Sequence, residues 1–156
     1  MKTKPVRYCT AAGREVPAVT ADQMREIDRI AIEDTGPNLF QMMENAGRNL
    51  ALHALDVLGT DWRDRHTLVL AGAGGNGGGG ICAARNLANH GANVTLVLAA
   101  PLAGGSVPAF QHHVYTGTSG REIAPSALND KRRRVTSGAL RYIYASSITR
   151  ESALPS

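Results

Sequence analysis

One stretch, His66–Asn89, reads HTLVLAGAGGNGGGGICAARNLAN and constrains the fold more than any other part of the chain. Thr67–Ala71 is a short, partly β-branched apolar run of the kind that forms a buried parallel strand. Gly72–Gly80 follows, seven glycines in nine residues, and reads as a loop that can turn without Cβ clashes. From Ile81 the period changes. Ile81, Ala84, Leu87 and Ala88 recur at helical spacing, and Gly91 stands where a helix would stop. Strand, glycine loop and helix together hold an anion, because the helix aims free N–H groups and about half a positive charge at it.

Gly72, Gly74 and Gly77 spell G-x-G-x-x-G, which raises an ordinary dinucleotide oxidoreductase. That reading predicts an Asp or Glu about 20 residues past the glycines to hold ribose hydroxyls. The next strand, Asn93–Leu98, runs instead into Ala99, Ala100 and Pro101, and no carboxylate occurs between Asp64 and Glu122. The standard NAD reading fails its own test.

A chain of 156 residues has room for one domain with a real core. With aromatics at only 4%, that core must rest on Leu, Val, Ile and Ala. No apolar run approaches a membrane span, and MKTKPVRYCTAAG lacks the apolar segment of a secretory signal. Two cysteines, Cys9 and Cys82, are too few for a disulfide framework, and Cys82 reads as a small buried apolar residue. A cytoplasmic protein is the expectation. The net charge of +4 hides an asymmetry: residues 1–130 carry −1 and residues 131–156 carry +5.

Taken in order, residues 1–18 read as an N-terminal arm. Thr20 and Gln23 then form a capping box, with Val19 and Met24 placed as a hydrophobic staple. Met24, Ile27, Ile30 and Ala31 supply a buried stripe, and Gly36-Pro37 ends that helix. A second helix spans about Asn38–Leu58 and is closed by Gly59. Its apolar face is Leu39, Met42, Met43, Ala46, Leu50, Ala54 and Leu58. Gly47, inside that helix, points to close packing or ligand approach, and Asn45 reads as a solvated polar residue. Past Asn93–Leu98, Pro101–Pro108 is a loop, Ala109–Tyr115 a short helix and Thr116–Gly120 a break. Lys131–Arg134 has no interleaved aromatics and reads as solvated surface rather than a nucleic-acid patch. His112 and His113 read as surface histidines, since neighbours on a helix point apart.

V-T-A-D-Q-M-R-E-I-D, M-E-N-A-G-R and L-V-L-A-G-A-G-G-N-G-G-G-G-I-C-A-A-R-N-L-A, in that order, closely resemble the YjeF N-terminal domain family. The resemblance runs from Val19 to Ala100 and extends to about Leu128. It implies a three-layer, Rossmann-like α/β fold with a mainly parallel sheet, here incomplete at the C-terminus. It also implies an isomerase, NAD(P)H-hydrate epimerase, interconverting the R and S forms of NADHX and NADPHX. Such enzymes work beside an ADP/ATP-dependent NAD(P)H-hydrate dehydratase, and a homodimer belongs to the same expectation. The family loop reads G-x-G-N-N-G-G-D-G, cradles the damaged cofactor, and uses its second Asn as a potassium ligand. Carried over, the substrate-binding residues are Gly75, Asn76, Gly77, Gly78 and Gly79, with Asn76 on the metal. The first Asn of the pattern is Gly75 here and the Asp is Gly79. The backbone cradle survives both changes, but a carboxylate for ligand hydroxyls is lost.

Family members continue past this point with an Asp-Ala-Leu-like strand and a further glycine loop that supply acidic residues. Residues 19–130 therefore read as a partial domain, and 131–156 as a divergent basic tail packing poorly against it. No general acid or base stands in the glycine stretch, so the catalytic residues are unknown. Two other readings stay open. One is a non-catalytic nucleotide-binding or protein-interaction module of the same fold, and the other a fragment of an NAD-dependent oxidoreductase.

Overall fold

The computed structural model describes residues 8–129 and 141–145. The chain divides into two compact units, Met1–Asn38 and Leu39–Ser156.

In the first unit, a hairpin occupies part of the N-terminal arm. Its strands, β1 (Tyr8–Cys9) and β2 (Glu15–Val16), pair antiparallel. Helix α1 (Ala21–Ile30) then starts on the expected capping box. Thr20 Oγ1 accepts from the Gln23 N–H at 3.2 Å, and Gln23 Oε1 accepts from the Thr20 N–H at 2.8 Å. A π-helical turn, Ala31–Thr35, closes on Gly36 in the left-handed region at φ 102°. The expected buried stripe is corrected: Met24, Ile27 and Ile30 are 40–47% exposed, and α1 buries none of its residues. A two-rung hairpin and ten helical residues contain too little apolar surface to bury a stripe by themselves.

The second unit is an α/β fold. Helix α2 (Leu39–Leu58) leads to strand β3 (His66–Ala71) and helix α3 (Gly75–Asn89). Strand β4 (Asn93–Leu98), helix α4 (Val107–Thr116) and short strand β5 (Arg121–Glu122) follow, then a 3₁₀ turn at Pro125–Asn129. Strand β6 (Arg141–Ala145) completes a four-stranded sheet of order β5-β4-β3-β6. All its pairings are parallel, with His66 opposite Asn93 and Thr67 opposite Arg141. The parallel pairing of β3 with β4 is as expected. The tail expected to stand apart from the domain is corrected in this segment: Arg141–Ala145 lies in the sheet, directly beside β3. Residues 131–140 and 146–156 lie outside the described residues.

Helix α3 packs on β3 and β4, flanked by α2 on one side and α4 on the other. Ile81, Ala84 and Leu87 meet Val69, Ala71, Val94 and Leu96 in one aliphatic core. The face α2 turns inward agrees with the expected one at Met43, Leu50, Ala54 and Leu58 and departs from it elsewhere. Met43, Gly47, Ala51 and Leu58 are buried, while Leu39 and Ala46 are exposed. Ranking residues by hydrophobicity misplaces this seam, because the smallest residues let the two helix backbones approach.

The opposite sheet face is also out of water: Leu68, Thr95 and Val97 are buried. There His66 Nε2 lies 2.8 Å from Thr95 Oγ1. Burial, aided by the charge of Arg121, holds the His66 imidazole below its ordinary range. A histidine kept neutral by the fold stabilises it fully above the unfolded pKa of about 6.5, and that stability drains away as pH falls toward the folded value. The unfolding midpoint should therefore drop between pH 7 and pH 5, and His66→Gln should flatten that part of the profile. An unchanged slope in the variant would assign the acid sensitivity elsewhere.

Candidate functional site

The glycine-rich segment is not the expected loop. Only Gly72–Gly74 turns; Gly75–Gly80 forms the opening turns of α3, with Gly74 as N-cap. Each glycine in a helix costs up to about 1 kcal/mol relative to alanine, so packing must impose this one. A Cβ on Gly77 would lie 1.8 Å from the Gly72 carbonyl oxygen. One on Gly78 would lie 2.6 Å from Met43 Sδ and 3.0 Å from Pro108 Cγ. Here glycine is required by close approach, and tertiary contact overrides local propensity.

Gly75 and Gly79 are different. A Cβ on either meets nothing within 4 Å. They stand four residues apart, on one face of the helix, next to exposed Asn76. The five expected substrate-binding residues thus divide into two sets. Gly77 and Gly78 turn into the packing, while Gly75, Asn76 and Gly79 look outward.

No side chain caps α3: Gly74 offers none, and the first intrahelical bond, Gly78 N–H to Gly74 O, is 2.9 Å long. The N–H groups ahead of it have no intrahelical partner. The openings of α2 and α4 meet the same place, since Met43 and Pro108 both touch the Gly78 position. Ser106 caps α4, accepting from the Ala109 N–H at 3.2 Å and donating to Ala103 O at 2.7 Å. Beside these helix ends β4 runs out into Ala99 and Ala100, where the Ala99 N–H bonds Ala71 O at 2.8 Å. The positive field of the helix ends is therefore not opposed by a carboxylate from this turn.

A polar cluster that sequence reasoning missed ties α2 to α3. Glu44 accepts from Arg85 Nη2 and, at 3.4 Å, from the Cys82 thiol. Arg85 Nη2 and Asn86 Nδ2 each lie 3.6 Å from Cys82 Sγ. Burial opposes the Glu44 charge, yet the bonds from Arg85, Cys82 and Asn86, with the Arg85 charge, hold its carboxyl below the usual range. Burial pushes the Cys82 thiol up, and the Glu44 charge adds to it, so this cysteine is not an activated nucleophile. Cys82 is fully buried, as expected, though its surroundings are polar.

Elsewhere the histidine pair divides. His113 is exposed, while His112 is half-buried, with Nε2 2.6 Å from Glu122 Oε2. Asn45 is exposed. As for potassium, Asn76 supplies one neutral oxygen, at the positive end of a helix.

A family described as "YjeF-related protein N-terminus" matches residues 39–136. The chain belongs to this family. The match spans the whole strand–glycine turn–helix unit and ends six residues inside the basic tail. Over 120 residues the YjeF-related chain is 48% identical to an NAD(P)H-hydrate epimerase of Dehalogenimonas lykanthroporepellens, covering 77% of this chain and 49% of that one. Over 83 residues it is 43% identical to a "Bifunctional NAD(P)H-hydrate repair enzyme Nnr" of Salinibacter ruber, covering 53% and 15%. The crystal structure of the yeast protein ynu0 superposes with a TM-score of 0.65 at 23% identity, over 73% of this chain and 49% of that one. The chain spans about half the length, or less, of the curated relatives it matches.

Proposed function

We propose that this chain binds NADHX and NADPHX at the opening turn of α3 and serves as an NAD(P)H-hydrate epimerase, interconverting their R and S forms. The observation that carries the reading is the uncapped, unopposed helix start, with Gly75, Asn76 and Gly79 open to a ligand. A pyrophosphate suits it because it is anionic and takes several N–H donors at once. The names of the relatives supply the substrate class, and the bifunctional relative supports a working link to an ADP/ATP-dependent dehydratase. Potassium stays in this reading as an ion that arrives with the ligand, Asn76 giving one oxygen and the pyrophosphate its charge. A homodimer and a cytoplasmic setting complete it. Both cysteines are free, and no helix among the described residues is long and apolar enough to cross a membrane.

A specific observation favours a second reading, a binding module without chemistry. Epimerisation needs a group that moves a proton at the hydrated ring. Among the described residues, Glu44 is engaged by Arg85 and Cys82, and His66 lies on the far sheet face. Chromatographic assay of purified R-NADHX with the chain separates the two readings: epimerisation establishes the enzyme, binding without it the module.

Gly79→Ala gives a sharper test of the site. The added methyl has open space in a helical position, so the variant should gain about 0.5–1 kcal/mol of stability. The same methyl stands where the ligand approaches, so ADP-ribose binding, measured by calorimetry in potassium buffer, should weaken. Equal binding by wild type and Gly79→Ala would remove this face of α3 from the site.

A further inference from the structure

The opening turn of α3 cannot hold its own shape. From Gly74 to Gly80 the only side chain is Asn76, and it is exposed. The position of this backbone is therefore imposed from outside, and much of that constraint comes from α2. Met43 presses on Gly78, and Gly47 sits so close that its Cβ would lie 3.0 Å from the Gly79 carbonyl oxygen and 2.5 Å from Cys82. These contacts set how near α2 can come, but they do not hold it there. Glu44 does: its carboxylate reaches across to Cys82 and Arg85, about one and two turns further along α3.

We infer that Glu44 is a positioning residue for the ligand site, locking the α2–α3 spacing on which the backbone of Gly75–Gly79 depends. This rests on the function proposed above for its ligand, though not for its geometry. The lock is directional, because an Arg–carboxylate bond fixes distance and orientation where apolar packing fixes neither. It is also hard to replace locally. Arg85 Nε is already buried without a partner, and the other nearby acceptor for its Nη2 is a sulfur at 3.6 Å. Without Glu44 the half-buried guanidinium would be left uncompensated, and it would leave the seam for water, taking the α2–α3 spacing with it.

The test uses the intact chain and two measurements, amide hydrogen exchange without ligand and calorimetric affinity for ADP-ribose. In Glu44→Ala, amides of residues 72–80 should exchange faster while those of β4 keep their wild-type rates. Affinity should fall about tenfold or more, as expected for ångström-scale misplacement of a binding group. Glu44→Gln keeps an acceptor for Arg85 and should recover most of both. If Glu44→Ala does not fold, Arg85→Met gives the same readout by removing the donor. Wild-type exchange at residues 72–80 in these variants would overturn the inference, as would acceleration equal in β4, which marks a merely structural loss. Should wild type itself fail to bind ADP-ribose while Glu44→Ala still loosens residues 72–80, the positioning role stands and the ligand reading falls.

Discussion

Gly77→Ala is expected to destroy the fold rather than the site. The new Cβ would stand 1.8 Å from the Gly72 carbonyl oxygen, 2.5 Å from its carbon and 2.9 Å from its nitrogen. All three are backbone atoms at the end of the central strand, so no rotamer change relieves the overlap. Either β3 shortens or α3 starts later, and each route breaks the core at Ala71 and Ile81. Overpacking commonly costs about 1–3 kcal/mol, and an overlap with backbone this deep belongs above that range. Against a total stability of about 5–15 kcal/mol, the variant should be insoluble or melt far below wild type. A valine here would fail for the same reason. Soluble Gly77→Ala melting within a few degrees of wild type would show that α3 does not begin as described.

Deleting residues 131–156 is the second change of large effect. From the sequence this tail appeared dispensable, since its charge breaks with the domain's. Yet the deletion removes β6, a five-residue parallel partner of β3, and turns the central strand into an edge. Each ladder hydrogen bond is worth about 0.5–1.5 kcal/mol net, and an uncovered strand edge invites association with other chains. The truncated chain should melt about 10 °C lower or more and aggregate on storage. A melting temperature equal to that of the whole chain would show that β6 adds nothing to the sheet.

The legible parts of the fold were those where local chemistry and tertiary role agree. Thr67–Ala71 and Asn93–Leu98 are apolar, β-branched and buried on both faces, so composition alone marks them. Thr20 and Gln23 satisfy each other's backbone, and Gly36, Gly59 and Gly91, all at positive φ, end helices where expected. The failures have one cause. Gly75–Gly80 has loop propensity but forms a helix because Gly72, Met43 and Pro108 crowd it. The buried face of α2 passes through Gly47 and Ala51, which a hydrophobicity pattern discounts. Arg141–Ala145 contains a β-branched and aromatic run, Tyr142-Ile143-Tyr144, masked by the basic residues before it. The helix after the glycines was legible from Ile81 on, and three motifs in order carried the family. Glu44 was not, since its partners Cys82 and Arg85 are 38 and 41 residues away and carry no spacing signal.

The sheet order has a consequence for the moment of synthesis. Strand β3 is made first of the four, yet it ends up between β4 and β6, and β6 pairs with residues 74 positions earlier, Arg141 opposite Thr67. Through the translation of α3, β4, α4 and β5, β3 can acquire one neighbour but waits for the other. Such late, distant pairing slows folding and leaves a hydrophobic strand exposed in the meantime. A ribosome stalled before Arg141 would thus hold a nascent chain with its central strand open on one side, the form that chaperones would be expected to bind.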